Sequence, residues 1–541
     1  TQGLQGTLRR KKGWYLAAGS VQLDADSELE LGELAGSVGV ARGRFVRLPN
    51  GDFVAIEERV RKVVAALQGT EPLAHRPREV RIHAAELFAL SALGELAGAE
   101  PGAGFALDRD TQAWLDRVQS LEAQSFAPPV ELKAELRSYQ LEGFRWLSRL
   151  TELGLGACLA DDMGLGKTVQ ILALLLARAE RGPALVVAPT SVCTNWLVEA
   201  QRFAPSLRVV EYTGGERAEL LEPLFVSSPE VSPDSAVPSS TGEAQAADAP
   251  ALAETGPFPV IVCSYGLLQQ DIESLRRIHW GSLVLDEAQF IKNPKSLRAQ
   301  AARSLAADCR IAATGTPVEN HLGDLWSIFA FLNPGLLGSW RNFNYRYLKP
   351  IEQQSDTTAQ VALQERIRPF ILRRTKSQVL ADLPPLTLVH HPVQLSEAES
   401  IAYQQLRREI NFRLTSAGRR ENKLEILAEI TRLRRFCCHP KLVFPDAGSE
   451  ASKIDALLDL VLELSENQHR ALVFSQFVDF LDLVRERLDE AGVSYQYLDG
   501  STPKAERQAA VEAFQAGQST LFVISLKAGG FGLNLTAADY V

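Results

Sequence analysis

ACLADDMGLGKTVQILALLLARAE, residues 157–180, is the stretch whose reading decides the fold class. It opens on a short apolar run, Ala157–Ala160. It then passes through a loop bearing Gly164 and Gly166 and enters a helical pattern at Lys167-Thr168. A buried strand, a glycine-bearing loop and a helix are the context a phosphate-binding loop requires. Backbone N–H groups of such a loop and of the helix N-terminus cradle phosphate oxygens. Lys167 is then placed for the β- and γ-phosphates and Thr168 for magnesium. The run departs from G-x-x-x-x-G-K-[ST] at its first glycine, where Asp161 stands. A simple glycine turn before a helix is the bland alternative; Gly-Lys-Thr directly after a buried strand argues against it.

Similar apolar runs recur further along the chain. ALVVAP, VIVCSY, SLVLDE, CRIAAT, ALVFSQ and LFVIS all lack polar alternation. Such runs suit strands of a parallel sheet covered on both faces. The last two are separated from the others by a long helical stretch at about residues 320–465. Two α/β lobes with helices inserted between them are expected. In SLVLDEAQFIKNP, Asp286 and Glu287 end an apolar strand about 120 residues after the phosphate loop. A carboxylate there can hold magnesium through water, and its neighbour can orient the attacking water. An isolated Asp-Glu pair is mostly surface charge; the preceding loop gives this one its meaning.

Residues 1–125 read as a separate small module. RFVRLPNGDFVAI, residues 44–56, is a strand, an Asn50-Gly51 turn and a strand. VRIHAAELFALSALGEL, residues 80–96, reads as helical, and Pro101, Gly102 and Gly104 break the pattern. Residues 226–257 hold five prolines and five acidic residues, with no basic or aromatic residue. That composition cannot bury enough apolar surface to offset chain entropy, so a disordered acidic insertion is expected. Replacing it with a short linker should leave stability and turnover nearly unchanged, because loop closure changes by only about 0.6 kcal/mol per doubling of length. Collapse of the thermal unfolding transition on deletion would show that the segment packs.

Bulk properties bound the rest. The chain has 541 residues, 46% hydrophobic and 23% charged, too long for one core and typical of globular domains. No apolar run reaches the 18 residues of a membrane span, and the N-terminus shows no secretory h-region. The one methionine is Met163, so a fragment or processed chain is expected. The six cysteines form no CxxC pair; a reduced, cytosolic chain with packed cysteines fits better than zinc at Cys437-Cys438-His439. A net charge of −9 argues against coating nucleic acid over the whole surface, while a local basic groove stays open. Two clusters are candidates: Arg366, Arg368, Arg373, Arg374 and Lys376, and Arg432, Arg434 and Arg435. Each, taken alone, reads as a solvated helix face.

Seven segments, in order, carry a resemblance: DDMGLGKT (161–168), DEAQ (286–289), ATGTPVENHLGDLW (313–326), FILRRTK (370–376), VFSQF (473–477), YLDGST (497–502) and SLKAGGFGLNLTAADYV (525–541). Over residues 130–541 the chain closely resembles the Swi/Snf-type ATPases of helicase superfamily two. Residues 1–125 are similar, more weakly, to the bacterial helicase-associated module that precedes such motors. The resemblance implies an α/β protein of two RecA-like parallel-sheet lobes with helical insertions, plus a small α+β N-terminal module. Its divisions are residues 1–125, 126–335, 336–452 and 453–541. It implies ATP and magnesium as cofactors, with ATP bound by the first lobe, and double-stranded DNA as partner. It also implies a bacterial, cytoplasmic, nucleoid-associated monomer that translocates on duplex and remodels protein–DNA complexes. An RNA-directed helicase and a scaffold that does not turn over are the rivals.

Carried over position by position, Gln140 matches the adenine-reading glutamine. Asp161, Asp162, Met163, Gly164, Leu165, Gly166, Lys167 and Thr168 match the phosphate loop, in which the family commonly has an acidic residue for the first glycine. Asp286 and Glu287 match the magnesium and water-activating acids. Gln289 stands where many relatives have histidine, facing the coupling segment Thr314-Gly315-Thr316. DNA-facing positions are Thr190, Ser191, Ser264, Ser475, Gln476, Ser525 and Lys527, whose groups suit phosphate contacts that position without reading sequence. Individually, each serine or threonine is more often a cap or turn residue. Arg373, Arg374 and Lys376 gain a structural or DNA-facing role without an assigned contact, and Arg432–Cys438 reads as mainly structural. The family's last motif, with its γ-phosphate arginines, would follow Val541, so the chain as given is expected to bind ATP better than it hydrolyses it.

Overall fold

The computed structural model describes residues 2–11, 14–22, 28–31, 45–47, 53–55, 79–92, 104–215, 217–225, 258–315, 321–379, 387–416, 423–448, 451–529, 533 and 535–541. The acidic segment 226–257 and the Asn50-Gly51 turn lie outside them. Two compact units emerge, Thr1–Leu383 and Pro384–Val541. The N-terminal module falls in the same unit as the first lobe.

The N-terminal module is built on β1 (Gln2–Lys11), β2 (Trp14–Gln22), β3 (Glu28–Glu30), β4 (Phe45–Arg47), β5 (Phe53–Ala55), β6 (Glu79–Ile82), helix α1 (Ala84–Ala92), β7 (Gly104–Leu107) and helix α2 (Arg109–Ala123). β1 and β2 pair antiparallel, and β7 adds to β1 in parallel. β4 and β5 pair antiparallel, as the turn signal between them predicts. One reading is corrected. Val80–Ile82, taken as the start of a helix, is strand β6 on β2, and the helix begins only at Ala84. The module docks on the first lobe through a buried ion pair between Glu86 and Arg366. Burial pushes the Glu86 carboxyl up to about 6 in spite of that partner. Phe88 and Phe370 pack nearby, with ring centroids 5.8 Å apart.

The first lobe comprises α3 (Ser138–Glu152), β8 (Ala157–Leu159), α4 (Lys167–Ala177), β9 (Ala184–Ala188), α5 (Thr190–Phe203), β10 (Val209–Glu211), β11 (Val260–Ser264), β12 (Ser282–Leu285), β13 (Arg310–Ala313) and β14 (Ile371–Leu372). Its seven strands run parallel in the order β10-β11-β9-β12-β13-β8-β14. The five apolar runs of this lobe are its five inner strands. Every residue of β8, β9 and β12 is buried, as helices on both faces demand. Each such Val or Leu contributes about 1.5–3 kcal/mol on burial. Leu185, Val187, Leu283, Leu285, Trp280 and Phe331 share one core. β14 comes from the stretch read as helical insertions and is the last strand of this sheet.

The second unit carries helices α6 (Glu397–Ser416), α7 (Lys423–Cys438) and α8 (Ser452–Glu466). They precede β15 (Ala471–Ser475), β16 (Tyr495–Leu498) and β17 (Leu521–Ser525), a parallel sheet ordered β15-β17-β16. Tyr540 bridges in parallel to Ala471, next to β15. Among the described residues, no helix is long and apolar enough to cross a membrane. The cysteines form no disulfide: Cys158, Cys193, Cys263 and Cys309 are buried, while Cys437 and Cys438 are partly so. His439 caps the following turn, accepting from the Lys441 N–H at 3.0 Å.

Candidate nucleotide-binding site

The loop from Asp161 to Gly166 leaves the end of β8 and feeds α4, whose first residue is Lys167. Gly164 and Gly166 have φ of 83° and 75°, the left-handed region that side chains other than glycine rarely adopt. A Cβ on Gly166 would also lie 2.5 Å from Gln140 Nε2. Gln140 therefore sits directly against the loop. Its amide donates to the Leu165 carbonyl at 3.2 Å and accepts from the Arg137 N–H at 2.9 Å. Tyr139 Oη donates to the same Leu165 carbonyl at 3.1 Å. Lys167 Nζ reaches back across the loop to the carbonyls of Asp161 and Asp162, at 2.8 and 3.3 Å. Burial holds its pKa below the usual lysine value, against the pull of Glu287, Asp286, Asp161 and Asp162.

Asp286 follows β12 and is buried. Burial pushes its carboxyl up to about 6 even though Trp196 Nε1 donates to Oδ2 at 2.8 Å and the Glu287 N–H donates to Oδ1 at 2.9 Å. Nearby Lys167 lowers it and Glu287 raises it. Glu287 adopts φ 48°, ψ 55°, a left-handed conformation that costs a non-glycine residue roughly 1–3 kcal/mol and clusters at functional sites. Its Oε2 accepts from Gln289 Nε2 at 2.8 Å, and Gln289 Oε1 accepts from Thr314 Oγ1 at 2.8 Å. The glutamine thus bridges Glu287 and Thr314. Gly315 approaches the loop closely, since a Cβ there would lie 3.1 Å from Met163 Cγ. Thr316 lies outside the described residues.

Two further side chains were not singled out from the sequence. Trp196 and Glu199 stand one turn apart on α5, three residues in spacing and so on one face. Trp196 holds the Asp286 carboxylate. Glu199 accepts from Asn195 Nδ2 at 2.9 Å; burial raises its pKa, against the lowering effect of Asn195 and of the nearby Thr168 hydroxyl. Thr168, the buried Asp286 and the left-handed loop glycines therefore fit a phosphate group with a hard, oxygen-seeking cation. Replacing Trp196 with phenylalanine keeps the bulk and removes the donor. Partners of this kind typically contribute 10–100-fold in metal affinity or activity. Trp196→Phe is expected to lower magnesium-dependent turnover by about that factor, and a magnesium titration of turnover superimposing on that of the unaltered protein would refute the role.

Asp161 presents its backbone, not its carboxylate, to the loop interior. The side chain is 0% exposed and engages Arg374. The first basic cluster is accordingly reduced. Arg366 is paired with Glu86 and Arg374 with Asp161, while Arg368, Arg373 and Lys376 are exposed. In the second cluster, Arg432 lies 3.9 Å from both Glu409 and Glu429, Arg434 donates to Gln476 Oε1 at 3.0 Å, and Arg435 pairs with Asp479.

Of the DNA-facing positions, Thr190 and Ser191 are exposed in the first turn of α5, beyond the end of β9. Lys527 and Gln476 are exposed in the second unit. Ser264 caps the following helix, accepting from the Leu267 N–H at 3.3 Å, and Ser475 accepts from the Phe477 N–H at 3.2 Å. Ser525 requires correction. It is 2% exposed and its hydroxyl accepts from the Ala528 N–H at 3.3 Å, so it caps a turn and presents no surface to a phosphate.

A parallel-sheet unit with a glycine loop, lysine, threonine and two strand-end acids belongs to the class of phosphate-loop α/β motors. Comparison with known proteins gives the family. Residues 139–442 match the SNF2-related domain and residues 452–541 the helicase conserved C-terminal domain. The chain is 33% identical, over 98% of its length, to YwqA of Bacillus subtilis (strain 168), a candidate ATP-dependent helicase/translocase, and spans 55% of that protein. It is 33% identical, over 76% of its length, to the ISWI chromatin-remodeling complex ATPase CHR11 of Arabidopsis thaliana, and spans 38% of it. It is also similar to a solved Sulfolobus solfataricus SWI2/SNF2 ATPase core in complex with dsDNA, at 32% identity and TM-score 0.41, covering 77% of this chain and 83% of that one. The chain belongs to the SNF2-related family of helicase-like ATPases.

Proposed function

We propose that the protein hydrolyses ATP and couples hydrolysis to translocation on double-stranded DNA, remodelling protein–DNA complexes without needing to separate the strands. The observation that carries the reading is the convergence of Lys167, Thr168, Asp286 and Glu287 on one loop, with Glu287 linked through Gln289 to Thr314. Thr168 and Asp286 would hold magnesium, whose bound charge offsets that of the β- and γ-phosphates. Gln140, against the loop, would read the adenine. Lys167 meets the phosphate oxygens, and Glu287 orients the attacking water and accepts its proton. In the first unit Thr190 and Ser191, at the start of α5, supply hydroxyl and backbone N–H donors for the DNA backbone; in the second unit Lys527 supplies an ammonium. The names of the Bacillus and Arabidopsis relatives support DNA translocation and remodelling as the output. A DNA-bound protein complex is the cargo, the protein acts as a monomer, and it works at the bacterial nucleoid in the cytoplasm.

The test is displacement of a short third strand from a DNA triplex, run beside a fork-unwinding assay with the same duplex. ATP-dependent release of the third strand with the fork left intact supports translocation. Unwinding of the fork without triplex release would replace the reading with a strand-separating helicase, and activity on RNA alone would replace it with an RNA-directed one.

A further inference from the structure

Asp161 occupies the place where the common phosphate-loop pattern has a glycine, and its carboxylate is fully buried. A buried carboxylate is costly unless it is paired with good geometry and its remaining lone pairs are satisfied. Arg374 supplies that pairing from 213 residues away, with Nε on Oδ1 at 2.9 Å, a terminal nitrogen on Oδ2 at 2.5 Å and its own backbone N–H on Oδ1 at 3.1 Å. The same guanidinium donates to Gln170 Oε1 in α4 at 3.1 Å and to the carbonyl of Tyr139, the residue before Gln140. Asp162 is fixed from the same segment: its N–H donates to the Arg374 carbonyl at 3.0 Å, and its Oδ2 accepts from the Lys376 N–H at 3.1 Å. Gly143 makes the room, because a Cβ there would lie 2.8 Å from the Arg374 guanidinium and 1.9 Å from Gln170 Oε1.

We infer that Arg374 is a positioning residue for the nucleotide site, a strap that holds the start of the phosphate loop by the acidic residue standing in place of the glycine. The inference rests on the phosphate-binding reading of that loop. The Asp161 and Asp162 carbonyls are also the groups that Lys167 Nζ engages, so the strap sets where the lysine stands. One planar guanidinium reaches Asp161 at the start of the loop, α4 and the first turn of α3 together, a fork geometry that a lysine ammonium cannot reproduce. The strap is part of β14's own segment, which explains why two residues of strand join the sheet beside β8.

The experiment measures the affinity of fluorescently labelled ADP, with magnesium, alongside the thermal unfolding midpoint of each variant. Arg374→Lys is expected to weaken ADP binding at least tenfold while the protein still unfolds cooperatively. Asp161→Asn keeps the shape, breaks the charge pair from the other side, and covers the case in which Arg374→Lys does not fold; it should weaken ADP in the same way. The double variant should be little worse than either single one, because both act through one contact. Unchanged ADP affinity in both folded single variants, even with a lowered unfolding midpoint, would reduce the pair to fold stability and overturn the inference. Lys167→Ala is the control on the underlying reading. If it binds ADP normally, the phosphate loop itself is misread and the strap has no nucleotide to position. If it loses ADP while Arg374→Lys does not, the strap alone is refuted.

Discussion

Lys167→Ala is expected to reduce ATP turnover by orders of magnitude, roughly a thousandfold, the scale on which one preorganised donor at a developing charge acts. The lysine starts α4, and its ammonium lies in a partly buried setting whose carboxylates, Glu287, Asp286, Asp161 and Asp162, favour the charged form. Low local dielectric makes such a cation worth far more than at the surface. Alanine is a good helix former, so the start of α4 should survive the change. DNA binding without nucleotide should survive as well, because the exposed Thr190, Ser191 and Lys527 make no use of Lys167. Turnover by the variant at the rate of the unaltered protein would show that the phosphate loop is misassigned.

Glu287→Gln should retain ATP binding and slow hydrolysis by about 10²–10⁴-fold, the usual contribution of a positioned general base. The substitution keeps length and shape, and either side chain meets the same left-handed backbone, φ 48°. What changes is the base. An amide does not take a proton from water. In the unaltered protein the Gln289 amide donates to a Glu287 carboxylate oxygen. The amide carbonyl that replaces this oxygen can still accept that bond, so the link to Thr314 should persist. Loss of ATP binding with an intact fold would assign Glu287 a role other than handling water. Measuring labelled-ATP affinity and single-turnover hydrolysis on the same sample separates the two.

The sequence carried the buried strands and the phosphate loop because both have local signals. Uninterrupted apolar runs become β8, β9, β11, β12 and β13 because helices cover both sheet faces. The loop is legible because its lysine, threonine and glycines are contiguous. In the two parallel sheets the strands that escaped notice are short or half-buried: β10 is partly exposed throughout, β14 has two residues, and the YQYL of β16 mixes polar and apolar positions. Burial in those strands depends on neighbours that a local pattern does not reveal. The same holds for the pairs across the chain. Arg374 and Asp161 are 213 residues apart and Arg366 and Glu86 are 280 apart, so a basic cluster that read, taken alone, as a solvated helix face has two members paired with carboxylates. The Trp196 and Glu199 contacts were in principle legible as an i, i+3 pair on a helix following a buried strand. Only the fold shows that this face looks onto Asp286 and Thr168.

The central claim is an ATPase driven by duplex DNA, and steady-state ATP turnover by the full-length protein across four conditions tests it most directly: no nucleic acid, single-stranded DNA, double-stranded DNA and RNA, at matched ATP and magnesium. The account predicts a low basal rate that duplex DNA raises well above the rates with single-stranded DNA or RNA, with Lys167→Ala flat in all four. A rate raised by RNA and not by duplex DNA, or no turnover above the Lys167→Ala background under any condition, would contradict it.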